Sequence, residues 1–291
     1  MAVRYAFLAV EDFPQVYKTF LEAFADYHLK VSDVTEQMLF NRAIKNGVDF
    51  GSSVGAFDGE RMVGVTVIGI DRWGDVKSAY DIGTGIVPDY RGQGLANGMF
   101  EYVLPRLRGE RVKKFVLEVL QVNEPAIRAY RKTGFEIARE FDCFQLERKK
   151  TGFSYDTEAI AELDVQPVGQ DILESFDDHL EWRPSWENSF ASIRRIPDEV
   201  ELYGAFVNGE CVGLIVYYPL LNWVMTLVVK RGLRRRGIAS GLLMRLVNEL
   251  DPCVESIRLN NVEHSDTGMR TLLEKLGFDM FVSQYEMEFD L

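Results

Sequence analysis

The chain has 291 residues, of which 47% are hydrophobic, 27% charged and 12% aromatic. That composition fills a core, excludes disorder, collagen and coiled coil, and at about 100–200 residues per domain predicts two domains. With 33 basic against 45 acidic residues the net charge is −12, which argues against nucleic acid or an anionic membrane as partner.

Along the first half, residues 4–10 read as a strand, followed by helices over 14–28 and 35–46. Strands are expected at 51–57, 61–70 and 77–87, with Asp58-Gly59 as a tight hairpin turn. A helix opens after Gly92, its apolar stripe carried by Leu95, Met99, Val103 and Leu107 at a spacing of four. A strand over 113–120, a helix over 123–132 and a closing strand over 135–146 complete the half. Gly134 falls where a helix C-cap belongs.

The order then repeats. YRGQGLA at 90–96 returns as LRRRGIA at 233–239, and YRKTGFE at 130–136 as LEKLGFD at 273–279; both pairs lie 143 residues apart. AFDGERMVG at 56–64 aligns with AFVNGECVG at 205–213 at a lag of 149, so six extra residues belong to a longer connection around 71–75. Three landmarks in one order indicate two copies of one domain. The expected division is 1–150, a linker over 151–164, and 165–291. Charge is lopsided: 1–150 hold 21 basic and 21 acidic residues, 151–291 hold 12 and 24.

Cys143, Cys211 and Cys253 have no CxxC spacing and there are three histidines, so reduced thiols and no metal site are expected. The apolar start is interrupted by Glu11 and Asp12, and the run 214–229 by Pro219 and Asn222. Neither reads as a targeting segment or a spanning helix, and a cytoplasmic protein is expected. The run 214–229 reads as two strands and a turn.

The most informative stretch runs from Gly83 to Ala96. A strand enters a glycine-rich turn that opens a helix, whose first N–H groups have no partner within it and favour negative charge. Gly92 and Gly94 allow close backbone approach, and Ala96 keeps the first turn narrow. The turn lacks the lysine of a Walker loop and the spacing of a dinucleotide fingerprint. On its own it reads either as a phosphate cradle or as a structural turn. Gly83 and Gly85 weaken a strand interior and mark a bulge or a close approach.

Arg91, Gly94 and Ala96, together with Leu117-Glu118-Val119, Asn123, Ala126, Tyr130 and Gly134-Phe135, make the sequence resemble the GNAT superfamily of N-acetyltransferases. The likeness covers 1–150 well and 165–291 more loosely, as in a tandem GNAT protein. It implies a mixed α/β (α+β) fold built twice, each copy a mostly antiparallel sheet with a splayed central strand pair and flanking helices. It also implies acetyl-CoA as co-substrate, with its pyrophosphate on the loop Gly92, Gln93, Gly94, Leu95, Ala96 and Asn97, alongside Arg91. The pantetheine amide would pair with Thr84, Gly85 and Ile86, and Asn123 would help hold the arm.

The implied reaction is direct attack of an amine on the thioester. An ammonium must lose a proton and the departing thiolate gain one. Tyr130 stands where the family places its general acid; the other reading is a packing tyrosine. Glu118 is either a base, directly or through a water, or a strand carboxylate in a salt bridge. Asp81 and Asp71, near the longer connection, read either as groups that attract a cationic substrate or, by preference, as solvated surface groups. At the lag of 143, Glu118, Asn123 and Tyr130 become Asn261, Asp266 and Leu273, and Gly83 and Gly85 become Thr226 and Val228. The first copy is therefore expected to be the enzyme and the second mainly structural, with Trp182 and Trp186 as core or groove residues.

The sequence thus predicts an acetyl-CoA-dependent N-acetyltransferase acting on a primary amine of a small molecule or peptide. The rival reading is a non-catalytic acyl-CoA-binding regulator or scaffold. No nucleic-acid or membrane partner is expected, and a monomer or weak homodimer is.

Overall fold

A computed structural model of the chain describes residues 3–26, 33–148 and 163–291. These gather into two compact units. Unit 1 holds residues up to 119, 123–138 and 286–291, and unit 2 holds 120–122 and 139–285. This differs from the expected contiguous division at one linker, most of which lies outside the described residues.

In unit 1, β1 (Arg4–Phe7) is followed by α1 (Phe13–Ala23) and α2 (Glu36–Lys45). The Thr35 hydroxyl caps α2 by accepting from the Met38 amide at 3.2 Å. Then come β2 (Val54–Asp58), β3 (Arg61–Trp73) and β4 (Val76–Ile86). β2 starts later than expected because the Asp49 side chain, accepting from Ser52, closes a 3₁₀ turn over Phe50–Ser52. Helix α1 stops at Ala23, short of the expected end, and residues 27 and 28 lie outside the described residues.

α3 (Leu95–Gly109) packs on β2, β3 and β4 through the predicted stripe of Leu95, Met99, Val103 and Leu107, all buried. After β5 (Lys114–Leu120) and α4 (Glu124–Thr133), Gly134 takes the left-handed conformation at φ 105° and ends the helix. The sheet order is β1-β2-β3-β4-β5. β4 runs parallel to β5 only from Ser78↔Lys114 to Asp81↔Leu117. Beyond that, β4 stays paired with β3 alone: the expected splay.

β6 (Glu136–Glu147) leaves unit 1 after Ala138. The strand beside β5 is instead the end of β12 (Asp279–Asp290). There the Leu291 amide donates to the Lys113 carbonyl at 2.9 Å, Lys114 pairs with Glu288, and Phe289 packs against Phe100 and Phe135.

Unit 2 repeats the plan with β7 (Asp164–Pro167), a 3₁₀ segment over Gln170–His179, α5 (Phe190–Arg194), β8 (Glu201–Val207), β9 (Glu210–Tyr218) and β10 (Trp223–Val229). α6 (Ile238–Glu249), β11 (Ser256–Glu263) and α7 (Thr267–Lys275) follow. The strand beside β11 is β6, antiparallel from Ser256↔Glu147. Each unit is thus closed by the last strand of the other copy. Sequence similarity alone assigns each closing strand to the copy that precedes it, which is why the expected division was contiguous.

The two repeat lags have a structural meaning. Val63 is an extra residue in β3 opposite β2, and Val212 is its counterpart in β9, 149 residues on. Ile82 is an extra residue in β4 opposite β3, and Met225 is its counterpart in β10, 143 residues on. The six residues between these lags lengthen the strands of the β3–β4 hairpin, which turns tightly at Gly74 with φ 62°. The expected longer loop is in fact a longer pair of strands.

Candidate active site

At the fork where β4 parts from β5, the bulge at Ile82 sets the side-chain directions. An extra residue shifts the alternation of the strand by one, so Asp81 and Thr84 meet. The Thr84 hydroxyl donates to Asp81 Oδ2 at 2.8 Å and lies 3.0 Å from the Thr66 hydroxyl on β3. From α4 the Tyr130 hydroxyl donates to the same Oδ2 at 3.3 Å. Asp81 Oδ1 is buried and makes no hydrogen bond. Burial pushes the Asp81 carboxyl up to about 6, against the opposing pull of Thr84, Tyr130, the Gly83 amide and the charge of Arg42. These groups border a cavity of about 30 Å³ together with Ala96, Asn97, Phe100, Leu117 and Thr133.

Of the residues predicted from sequence, Thr84, Ala96, Asn97 and Tyr130 come together here. Asp81 joins them, although the sequence placed it at the surface. Its neighbours in the chain are ordinary strand residues, and only the bulge and the fork enclose its carboxyl. Glu118 follows Leu117 on β5, beyond the last pair with β4, half-buried and outside that cavity lining. Asp71 lies further along the β3–β4 hairpin, accepting from the Arg72 amide at 2.7 Å.

The loop has its own frame. Arg91 holds Asp26 through two bonds of 2.6 and 2.7 Å, and donates to the carbonyls of Ile86 at 3.2 Å and Ala23 at 2.8 Å. The hydrogen bond to Arg91 draws the Asp26 carboxyl below its usual range and raises the guanidinium. Arg91 therefore ties the loop to α1. Gln93 donates to the Asp89 carbonyl at 3.2 Å, and Leu95 turns into the core.

Gly92 and Gly94 are left-handed at φ 72° and 79°, and a Cβ on either would meet nothing within 4 Å. Gly94 offers α3 no side-chain cap, so the first amides of a 15-residue helix open onto that space. Gly85 serves packing: a Cβ there would lie 2.9 Å from Ala23 and 2.8 Å from the Phe24 ring. Ile86 follows on the same freed stretch of β4. Asn123 caps α4, its Oδ1 accepting from the Ala126 amide at 3.3 Å.

Unit 2 keeps this frame. Arg234 donates to the carbonyls of Val229 at 3.2 Å and His179 at 2.6 Å and pairs with Glu181. Gly237 is left-handed at φ 82°, and Asp266 caps α7 through the Met269 amide at 2.8 Å. β10 and β11 share one parallel pair, Trp223↔Arg258, before they part. The opening is a cleft of about 430 Å³, bounded by β10, β11, the loop around Arg235 and residues of α7. Trp182 stands at this cleft, 41% exposed, while Trp186 is in the core. The polar cluster is absent: Thr66, Asp81, Thr84 and Tyr130 correspond to Ile215, Val224, Leu227 and Leu273.

A profile of the Acetyltransferase (GNAT) family matches residues 13–135 and again 163–278. The chain belongs to the GNAT family. It is built of two GNAT repeats. A mycothiol acetyltransferase of Corynebacterium aurimucosum is 39% identical to it over 56 residues, 19% of this chain and 18% of that protein, so the chain aligns with less than a fifth of that relative's length. A GCN5-related N-acetyltransferase from Sphaerobacter thermophilus superposes with a TM-score of 0.72 at 15% identity, covering 99% of this chain and 95% of that one. A tandem GNAT protein from the clavulanic acid biosynthesis pathway gives 0.68 at 13% identity, with 99% and 98% covered. At these identities the two structures show the shared fold. Among the described residues no helix is long and apolar enough to cross a membrane.

Proposed function

We propose that unit 1 transfers the acetyl group of acetyl-CoA to a primary amine of a small molecule or peptide by direct attack. The observation that carries this reading is the fork itself: a tyrosine hydroxyl held by hydrogen bonding where β4 leaves β5. The open, uncapped amides from Gly92 to Asn97 suit a pyrophosphate. The edge of β4 at Thr84–Ile86, freed from β5, suits the amides of an extended pantetheine arm. With its Oδ1 engaged in capping α4, Asn123 keeps its Nδ2 as a donor for that arm. Because Arg91 is already paired, the loop offers phosphate its backbone amides more than a free guanidinium.

In the reaction the amine nitrogen bonds to the thioester carbon and the carbon–sulfur bond breaks. Tyr130 gives its phenolic proton to the departing sulfur. Glu118, next to the fork on β5, is the carboxylate assigned from the sequence to receive the amine's proton.

The test is a calorimetric titration with acetyl-CoA followed by an amine panel. Binding lost in Gly94→Glu, and turnover lost in Tyr130→Phe with binding kept, support the reading. A wild-type protein that does not bind acetyl-CoA sinks it. The second reading, a CoA-binding regulator, is favoured at one place by a specific observation. The unit 2 cleft is open, yet Leu273 occupies the position of the acid. We assign unit 2 a binding role without turnover, which a stoichiometry of two equivalents would support and a stoichiometry of one would remove.

A further inference from the structure

We propose that Asp81 is the positioning residue for Tyr130 and returns to it the proton that the tyrosine gives to the sulfur. The inference rests on the transferase reading above.

Three observations carry it. Asp81 Oδ2 is the acceptor of the Tyr130 hydroxyl, and it is fixed in turn by Thr84, which is fixed by Thr66. The carboxylate fixes the place of the Tyr130 oxygen, and once Asp81 carries a proton it donates to that oxygen and frees the phenolic proton for the sulfur. The second observation is placement. Asp81 and Tyr130 border the same cavity at the fork, whereas Glu118 is not part of its lining. The third comes from the repeat: where unit 2 lacks the tyrosine, its counterparts of Asp81, Thr84 and Thr66 are Val224, Leu227 and Ile215. The polar chain and the tyrosine are present together or absent together.

Among the described residues, the groups facing Asp81 are few. α4 contributes Tyr130, α2 the charge of Arg42, and β4 its own Thr84 and the Gly83 amide. β3 and β5 present Thr66, Phe115 and Leu117, and α3 presents Ala96, Asn97 and Phe100, none of them titratable. Of these, Tyr130 and Arg42 titrate, and Tyr130 is the one hydrogen-bonded to Asp81.

The protons balance as follows. The ammonium loses one proton before attack, and the neutral amine forms the C–N bond as the C–S bond breaks. Tyr130 protonates the thiolate, leaving a phenolate beside Asp81. The proton taken from the ammonium passes through the carboxyl of Asp81 to the phenolate across the 3.3 Å hydrogen bond. The second proton of the nitrogen leaves through Glu118 to solvent, so that one ammonium and one thioester give one amide, one thiol and one proton.

The experiment has two arms on the full chain. In the first, protein labelled with ¹³C at its aspartate carboxyls is titrated by NMR, with Asp81→Asn assigning the resonance. The expected midpoint is about 6, and Tyr130→Phe should move it upward, because it removes a hydrogen bond to the ionised form. A midpoint in the ordinary carboxylate range, indifferent to Tyr130→Phe, overturns the pairing.

In the second arm, acetyl transfer to ethanolamine, 1,4-diaminobutane, glucosamine and an alanine-terminated peptide is followed against pH. The wild-type kcat should fall below about pH 6. Asp81→Asn should lose that limb and at least about tenfold in kcat with KM for acetyl-CoA unchanged. An Asp81→Asn protein with the wild-type rate and pH limb overturns the inference while leaving the transferase reading intact. Absence of wild-type turnover with every amine overturns that reading instead, and the NMR arm still judges the pairing.

Discussion

Unit 1 and unit 2 agree in the backbone frame of the fork and part in the side chains that line it. Both carry the bulge in the strand before the loop, the arginine that ties the loop to the preceding elements, the left-handed glycine that opens the helix, and the capped helix beyond the fork. Yet Thr66, Asp81, Thr84 and Tyr130 of unit 1 are all aliphatic in unit 2. A duplicated scaffold can therefore keep its backbone frame while its polar side chains change, because bulges and left-handed turns depend on backbone and glycine rather than on the side chains at the fork. Cleft size and catalytic equipment are then separate properties.

The sharpest way to break this comparison is at the tyrosine. Tyr130→Phe should lower kcat roughly 10²–10⁴-fold with acetyl-CoA affinity unchanged, whereas Leu273→Ala should leave kcat untouched; comparable losses in both would make unit 2 a partner in the chemistry.

The next effect is on stability and has a definite sign. A carboxyl at about 6 in the folded protein, against an ordinary 3.8, binds its proton more tightly when folded, so its contribution is present at low pH and is lost as pH rises through 6. Asp81→Asn should therefore stabilise the protein by up to about 3 kcal/mol above pH 6 and not below pH 4, in denaturant melts at the two pH values.

Loop strain should separate the units by binding. Gly94→Glu should weaken acetyl-CoA at unit 1 by roughly tenfold or more, since a side chain is disfavoured at that φ and fills the space over the amides. Gly237→Glu should leave turnover unchanged and remove a second equivalent of ligand if unit 2 binds one. Smallest of all, Arg91→Ala and Arg234→Ala should each lower the melting temperature by about 2–4 °C, and by similar amounts, because the two arginines make the same kind of contacts.

Much of this architecture is legible in the residues. The stripe from Leu95 to Leu107, the caps at Thr35 and Asn123, the turn after Asp58 and the stop at Gly134 are local signals, each satisfied within a few residues of where it is written. The lag between copies even contains the bulges, since equal spacing is kept on either side of the lengthened hairpin. Two things were not legible. Enclosure of the Asp81 carboxyl follows from a bulge plus a fork, and neither is visible at residue 81 itself. The exchange of closing strands has no local signal either. β6 and β12 pair with edges far away in the chain, and either assignment satisfies the alternation of their side chains equally well.

That exchange bears on the order of synthesis. Residues 3–138 supply nearly all of unit 1 early, but the strand that seals β5 is made of residues 286–291. A nascent chain extruded from its N-terminus must hold an open sheet edge and the exposed rings of Phe100 and Phe135 while more than a hundred further residues are translated. During that interval unit 1 is the more vulnerable of the two, because β6, the strand that closes unit 2, is made before the rest of that unit.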